Sequence, residues 1–243
     1  MQWFENEDFW RTFYPYMFGE RRLAAAPGEV DRVLALSGVA NGRVLDLCCG
    51  PARHSVILAR KGFEVTGVDR SPFLLGMARE LAAGAGVELV ESDMRDFVRP
   101  GTFDLALSLF TSFGYFDTRD EDLAVLRNVR ASLKTGGVFV IDVMSKEYVI
   151  SQGCATHWEQ GPSGEILVRH YDVFPGWGRL RLQWLLVDGE RARRFEFEHN
   201  AYSGQELAAL LERAGFADVQ IFGSLDGIPY DATATRLVAR ATA

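Results

Sequence analysis

Three short stretches combine residue types and spacing suited to gripping an adenosine-bearing cofactor. The first is Asp46-Leu47-Cys48-Cys49-Gly50-Pro51-Ala52-Arg53-His54-Ser55, which follows an apolar run and precedes a helical pattern. A strand, a tight turn of small residues and a helix start bring unpaired N–H donors close to a ligand's negative groups. The second is Asp69, 19 residues beyond Gly50 at the end of the next apolar run. An acid there can accept both ribose hydroxyls, although Ser71-Pro72 follows at once and also reads as a helix start. The third, Ser92-Asp93-Met94-Arg95, offers a carboxylate to an adenine amino group and an apolar side chain to its ring. Taken alone, it is an ordinary turn.

In this order and spacing the three stretches resemble class I S-adenosylmethionine-dependent methyltransferases, and the resemblance covers nearly the whole chain. Val44–Ala52 is similar to the family's first motif, Asp69 to its ribose-binding acid, and Asp93-Met94 to its adenine-binding pair. Leu109–Phe116 matches the segment after strand four, Leu133-Lys134-Thr135-Gly136-Gly137 the lead into strand five, and Glu206 through Phe216 the last helix. Arg53-His54-Ser55 and Ser112-Phe113-Gly114-Tyr115-Phe116 resemble a bacterial subgroup.

The resemblance implies S-adenosyl-L-methionine as cofactor and S-adenosyl-L-homocysteine as product. It implies cofactor contacts from Tyr14, Asp46, Cys48, Gly50, Arg53, His54, Asp69, Arg70, Ser71, Asp93, Met94, Leu109 and Phe110. Arg53 or the turn's N–H groups would meet the methionyl carboxylate. One departure stands out: Cys48 and Ala52 occupy the first and third glycine positions of the family's turn, and Gly50 keeps the middle one. A nicotinamide dinucleotide fits less well, because Ser55 stands where its turn needs a glycine.

The elements that must position these residues follow from hydrophobic patterning. Arg43–Leu47, Glu64–Asp69, Phe103–Leu109 and Gly137–Val143 are near-continuous apolar runs, with a weaker run at Val87–Val90, as expected of strands buried on both faces. Amphipathic stretches Ser55–Lys61, Ser71–Ala83 and Asp120–Leu133 lie between them, with Thr135-Gly136-Gly137 expected to end the last. This alternation predicts an α/β fold with a mostly parallel sheet, and the resemblance implies a Rossmann-like, seven-stranded order 3-2-1-4-5-7-6. After residue 145, Ile166–Phe174, Arg179–Val187 and Ala192–His199 read as three antiparallel strands, the last two joined at Asp188-Gly189. A capped helix from Ser203 to Ala214 and strands Val219–Gly223 and Thr235–Ala241 close the chain. The expected organisation is one domain over 1–243, with a helical lid at 1–40 and an inserted substrate-side layer at 146–202.

Ligands of open α/β sheets bind beyond the strands' carboxyl ends, which places the acceptor near Thr111, Ser112, Phe113, Tyr115 and Tyr171; Phe113 and Phe116 also suit a core. Eight aromatics within residues 3–18 either cover the cofactor or pack on the core. Methyl transfer needs alignment more than acid–base chemistry, so an amine acceptor has only to be neutral. A hydroxyl needs a base, for which His170, Tyr115 and His199 are the candidates.

The net charge of −7 disfavours nucleic acid, and the cluster Arg191, Arg193 and Arg194 reads as a solvated strand edge. Cys48, Cys49 and Cys154 lack disulfide or zinc-site spacing, so reduced thiols and no metal are expected. No run is long enough to span a membrane and no leader is evident, so the expectation is a cytoplasmic protein, monomeric or homodimeric. A small-molecule amine or hydroxyl is the expected acceptor. The alternatives are RNA, a protein, or adenosine-cofactor binding without catalysis.

Overall fold

In the computed structural model, residues 2–152, 155–161 and 163–243 are described. The chain opens with a 3-10 turn, Trp3–Glu5, and two helices, α1 (Glu7–Phe18) and α2 (Glu20–Ser37). Strands and helices then alternate: β1 (Arg43–Leu47), α3 (Arg53–Arg60), β2 (Glu64–Asp69), α4 (Pro72–Leu81), β3 (Glu88–Glu91), β4 (Phe103–Ser108), α5 (Arg119–Ser132) and β5 (Leu133–Val143). A short helix, α6 (Lys146–Ser151), leads into β6 (Thr156–Gln160), β7 (Ile166–Val173), β8 (Arg179–Asp188) and β9 (Arg191–Asn200). The chain closes with α7 (Gly204–Arg213), β10 (Ala217–Phe222) and β11 (Leu237–Thr242).

The main sheet runs β3-β2-β1-β4-β5-β11-β10, the expected order 3-2-1-4-5-7-6 when only its own strands are counted. β11 lies antiparallel to both neighbours, and the other pairs are parallel. Alternate residues of each central strand feed two separate cores, as the period of two demands. Leu45, Ala106, Phe139 and Ile141 pack on the α5–α7 side, whereas Val44, Leu105, Leu107 and Val140 pack on the α2–α3 side. A third core lies between α1 and the second sheet, with Phe9 and Phe13 against Leu167, Leu180, Leu182, Trp184 and Phe197.

Local chemistry fixes the helix starts. Ser71 accepts the Leu74 N–H ahead of Pro72, and Thr118 and Ser203 form capping boxes with Glu121 and Glu206.

Three expectations need correction. Helix α5 ends at Ser132, and Gly136, at φ 78°, instead turns the chain inside β5, where the pairing with β4 shifts register. The β8–β9 turn is Gly189-Glu190, because Asp188 still pairs with Arg191. Among the described residues the second sheet has four strands, in the order β6-β7-β8-β9. Every residue of its added edge strand β6 is exposed, so no apolar alternation marks it in the sequence. The expectation for Cys154 lies outside the described residues.

Candidate functional site

The carboxyl ends of β1, β2 and β4 open into a cavity of about 440 Å³, capped by the N-terminal segment and walled by β7–β9. The turn after β1 forms its floor. Cys48, Gly50 and Ala52 have φ of 60°, 55° and 61°, so all three positions of the glycine motif are left-handed. The substitutions have kept the backbone that glycine favours. Every second residue turned this way makes a concave run of peptide groups, the arrangement used to hold anions. The ring of Phe18 lies over Gly50, where a Cβ would stand 3.2 Å from it. Cys49 packs behind the turn on Gly67 of β2.

Asp69 bridges this turn to α4. Its Oδ2 accepts the Gly50 N–H at 2.8 Å and its Oδ1 the Ser71 N–H at 2.9 Å. Burial pushes its carboxyl up to about 6, against the partial opposition of those N–H groups. Asp93 is held differently. Arg70 and Arg95 both donate to Oδ2, at 2.7 and 2.8 Å, while the Arg95 Nε and backbone N–H donate to Oδ1. Burial opposes ionisation of Asp93, but these arginines prevail and hold it below the usual carboxylate range.

The loop after β4 forms the far wall. Phe110 and Thr111 are both left-handed, at φ 58° and 62°. Fully buried Asp142, near the end of β5, holds this strained pair: its Oδ2 accepts the Phe110 N–H at 3.2 Å and its carbonyl the Thr111 N–H at 2.9 Å. The other oxygen of Asp142 accepts from Arg236. Phe110 is ringed by guanidiniums, with Arg53, Arg236 and Arg22 at 4.4, 5.0 and 5.8 Å from its centroid, and the His54 ring stacks on it at 5.6 Å. Behind them, buried Glu29 of α2 pairs with both Arg53 and His54. The charge of Arg53 is therefore already met from within the protein.

One cavity is thus lined by Cys48, Gly50, Arg53, His54, Asp69, Arg70, Ser71, Asp93, Met94, Leu109, Phe110, Thr111, Ser112, Tyr115, Tyr171 and His199. Four expected residues do not line it. Asp46 is buried behind the turn and accepts the Ser55 hydroxyl at 2.5 Å, supporting the start of α3. Tyr14 packs on Phe18 and Phe73. Phe113 is core beside Tyr202. His170 points to the opposite face of β7 from Tyr171, as strand alternation requires, and meets Thr156 and Asp172.

The two remaining base candidates are constrained. The Tyr115 hydroxyl donates to the Thr111 carbonyl, and burial drives its ionisation far above neutral pH. His199 is 1% exposed and its Nδ1 meets the Asn200 carbonyl; burial lowers its pKa to about 4. It is neutral and almost sealed from the cavity.

Sequence reasoning missed Arg22, Arg169, Trp184, Phe197 and Arg236 as lining residues. The strand residues Arg169, Tyr171, Leu182, Trp184, Phe197 and His199 share one face at a spacing of two, a signal that was legible; Arg236 precedes its strand and carried none. Among the described residues, no cluster of three or more metal-type ligands occurs, and no helix is long and apolar enough to cross a membrane.

Residues 44–137 match the family described as a methyltransferase domain. Cypemycin N-terminal methyltransferase from a Streptomyces species is 28% identical over 197 residues, 80% of each chain. The CcbJ methyltransferase from Streptomyces caelestis shares the fold, with a TM-score of 0.77 at 22% identity over 90% of this chain and 89% of that one. S-adenosylmethionine-bound CalS10, an amino pentose methyltransferase from Micromonospora echinaspora, gives 0.65 at 25% identity over 90% of each chain.

Proposed function

Starting from a class I S-adenosylmethionine-dependent methyltransferase, which this chain is, we propose that it methylates the amine of a small molecule. The observation that carries this reading is the aromatic wall of the cavity beyond the cofactor turn, built from Trp3, Tyr115, Tyr171, Trp184 and Phe197. A concave, aromatic-lined cavity of about 440 Å³ in all suits a small molecule.

The wall suits the cofactor. Asp69 would hold the ribose, Met94 would face the adenine, and Arg22 with the N–H groups of the Gly50 turn would meet the methionyl carboxylate. Because Arg70 and Arg95 already occupy Asp93, its role becomes orienting Arg70 at the adenosine edge. Bound there, S-adenosylmethionine supplies a methyl on a sulfonium, whose bonding pair stays on sulfur when an acceptor lone pair takes the carbon. The chain's task is to align that lone pair and exclude water. An amine is favoured over a hydroxyl because the Tyr115 hydroxyl is committed to the Thr111 carbonyl, burial lowers the pKa of His199 to about 4 and makes it a weak base, and His170 faces away. An amine needs no base once it is neutral.

We further assign residues 2–37 the role of a cover over this cavity and 146–202 that of its acceptor-side wall. Glu7 accepts from the Ser71 hydroxyl and the Phe73 N–H, both at 3.1 Å, and Glu5 pairs with Arg70, so the cover is latched onto the end of β2.

The test is to incubate the protein with S-adenosylmethionine and matched amine and alcohol panels, measuring S-adenosylhomocysteine release. Turnover confined to amines is expected. Turnover confined to alcohols, RNA or protein would overturn the reading.

A further inference from the structure

The cavity is not electrically neutral along its length. Among the described residues lining it, the only carboxylates are Asp69 and Asp93, both at the adenosine end. The far compartment carries Arg169 on β7. A bare ammonium entering there meets no acid, whereas an anionic oxygen meets a guanidinium.

Arg169 is built into this wall. Its Nη2 donates to Glu159 Oε1 at 2.7 Å on the exposed edge strand β6, leaving most of its fork free. Its Nε–H is buried with no hydrogen-bond partner among the described residues. Directly across the β7–β8 pairing stands Trp184, 5.6 Å beneath the guanidinium, and its indole N–H is also buried and unpartnered. A buried donor left unmade costs about 1–3 kcal/mol. Two such donors on facing residues are what an incoming acceptor atom would relieve, and charge-assisted pairing to an oxyanion does so most strongly.

The cofactor cannot be that anion. It brings a single carboxylate, and the cluster of Arg22, Arg53 and Arg236 already surrounds Phe110, on the loop that faces the Gly50 turn across the cavity. Arg169 belongs to a different sheet.

We infer that the methyl acceptor is an amine that also bears an oxyanion, a carboxylate or a phosphate, seated on Arg169. This rests on the amine reading above and narrows it. The arrangement has a second effect: positive charge near the acceptor favours the neutral form of its amine, the form that carries the lone pair.

The experiment uses the full chain loaded with S-adenosylhomocysteine and titrates three probes by calorimetry: benzylamine, 4-(aminomethyl)benzoate and 4-(aminomethyl)phenyl phosphate. At least one anionic probe should bind ten times or more tighter than benzylamine, and the tighter of the two identifies the oxyanion. Arg169→Gln should erase that preference and leave S-adenosylhomocysteine affinity within about twofold, a loss of roughly 1.4 kcal/mol for the anionic probe alone. Glu159→Gln, an exposed change that frees the same guanidinium, should keep or strengthen the preference, which guards against a folding defect in the first variant. Equal binding of neutral and anionic probes, or no saturable binding of an anionic probe by about 10 mM, overturns the inference. Failure of S-adenosylhomocysteine itself to bind would instead sink the cofactor reading, and turnover of uncharged amines alone would leave the amine reading intact while removing this one.

Discussion

Cys48 and Ala52 are left-handed residues with side chains, a conformation that costs an L-residue about 1–2 kcal/mol. Ala52→Gly would relieve that strain. It would also add backbone entropy to the unfolded chain, worth about 0.5–1 kcal/mol, and remove a buried methyl worth about 0.8 kcal/mol. These terms nearly cancel, so urea unfolding should show Ala52→Gly within about 1 kcal/mol of the parent. Cys48→Gly should lose more, because its sulfur lies 4.0 Å from that of Met94. The balance explains how the turn tolerates both replacements. Asp69 governs a separate behaviour. Its carboxyl sits at about 6 in the free protein, and ribose hydroxyls hydrogen-bond best to the ionised form. With Asp69 holding the ribose as proposed, binding releases a proton, so S-adenosylhomocysteine affinity should rise as pH climbs through 6 and level off above 7, with up to tenfold lost per unit on the acid side. Calorimetry from pH 5 to pH 8 reads this directly, and Asp69→Asn should bind more weakly with a flat profile.

At the scale of elements, two buried acids hold loops against the sheet. Asp142 serves the Phe110 N–H and Arg236 at once. Asp142→Asn keeps an acceptor for the first and strips the counter-charge from the second, so a loss of about 3 kcal/mol in unfolding free energy is expected. Asp122 on α5 accepts from the Tyr202 hydroxyl at 2.5 Å and the Asn200 amide at 2.7 Å, tying the end of the second sheet to α5. Burial raises its carboxyl from 3.8 to about 6, against those two hydrogen bonds. The folded state thus holds this proton more tightly than the unfolded chain. Its contribution to stability is complete below pH 4 and lost as pH rises through 6. Melting curves should show Asp122→Asn gaining on the parent between pH 4 and pH 7. Such ties explain what could be read in advance. The strands and the turn at residues 46–55 were legible because each rests on local chemistry, an apolar run or a tight turn of small residues, whereas the strand order followed only from the family resemblance. The roles of Glu29, Asp142 and Arg236 were not, because each depends on partners from distant parts of the chain. His170 and His199 illustrate the same limit: both are strand histidines, but only pairing register shows that one faces outward and the other inward.

For the whole molecule, the proposed arrangement is a cofactor floor made by one sheet, an acceptor wall made by another, and a cover that touches both. Glu7 reaches the floor at Ser71, while Asp8, the next residue, pairs with Arg193 of β9. If the cover gates the site, Glu7→Ala should speed S-adenosylhomocysteine release several-fold in stopped-flow displacement while moving the melting temperature only slightly; an unchanged release rate would rule out gating by this latch. The indole groups divide along the same lines. Trp3, Trp10 and Trp184 face the cavity, whereas Trp158 and Trp177 are 69% and 46% exposed. Ultraviolet emission should therefore split into a blue component that ignores acrylamide and a red one that acrylamide extinguishes. Only the blue part would change when the chamber fills, so the protein carries an optical gauge of its own occupancy, and compound libraries could be screened for acceptors without a label.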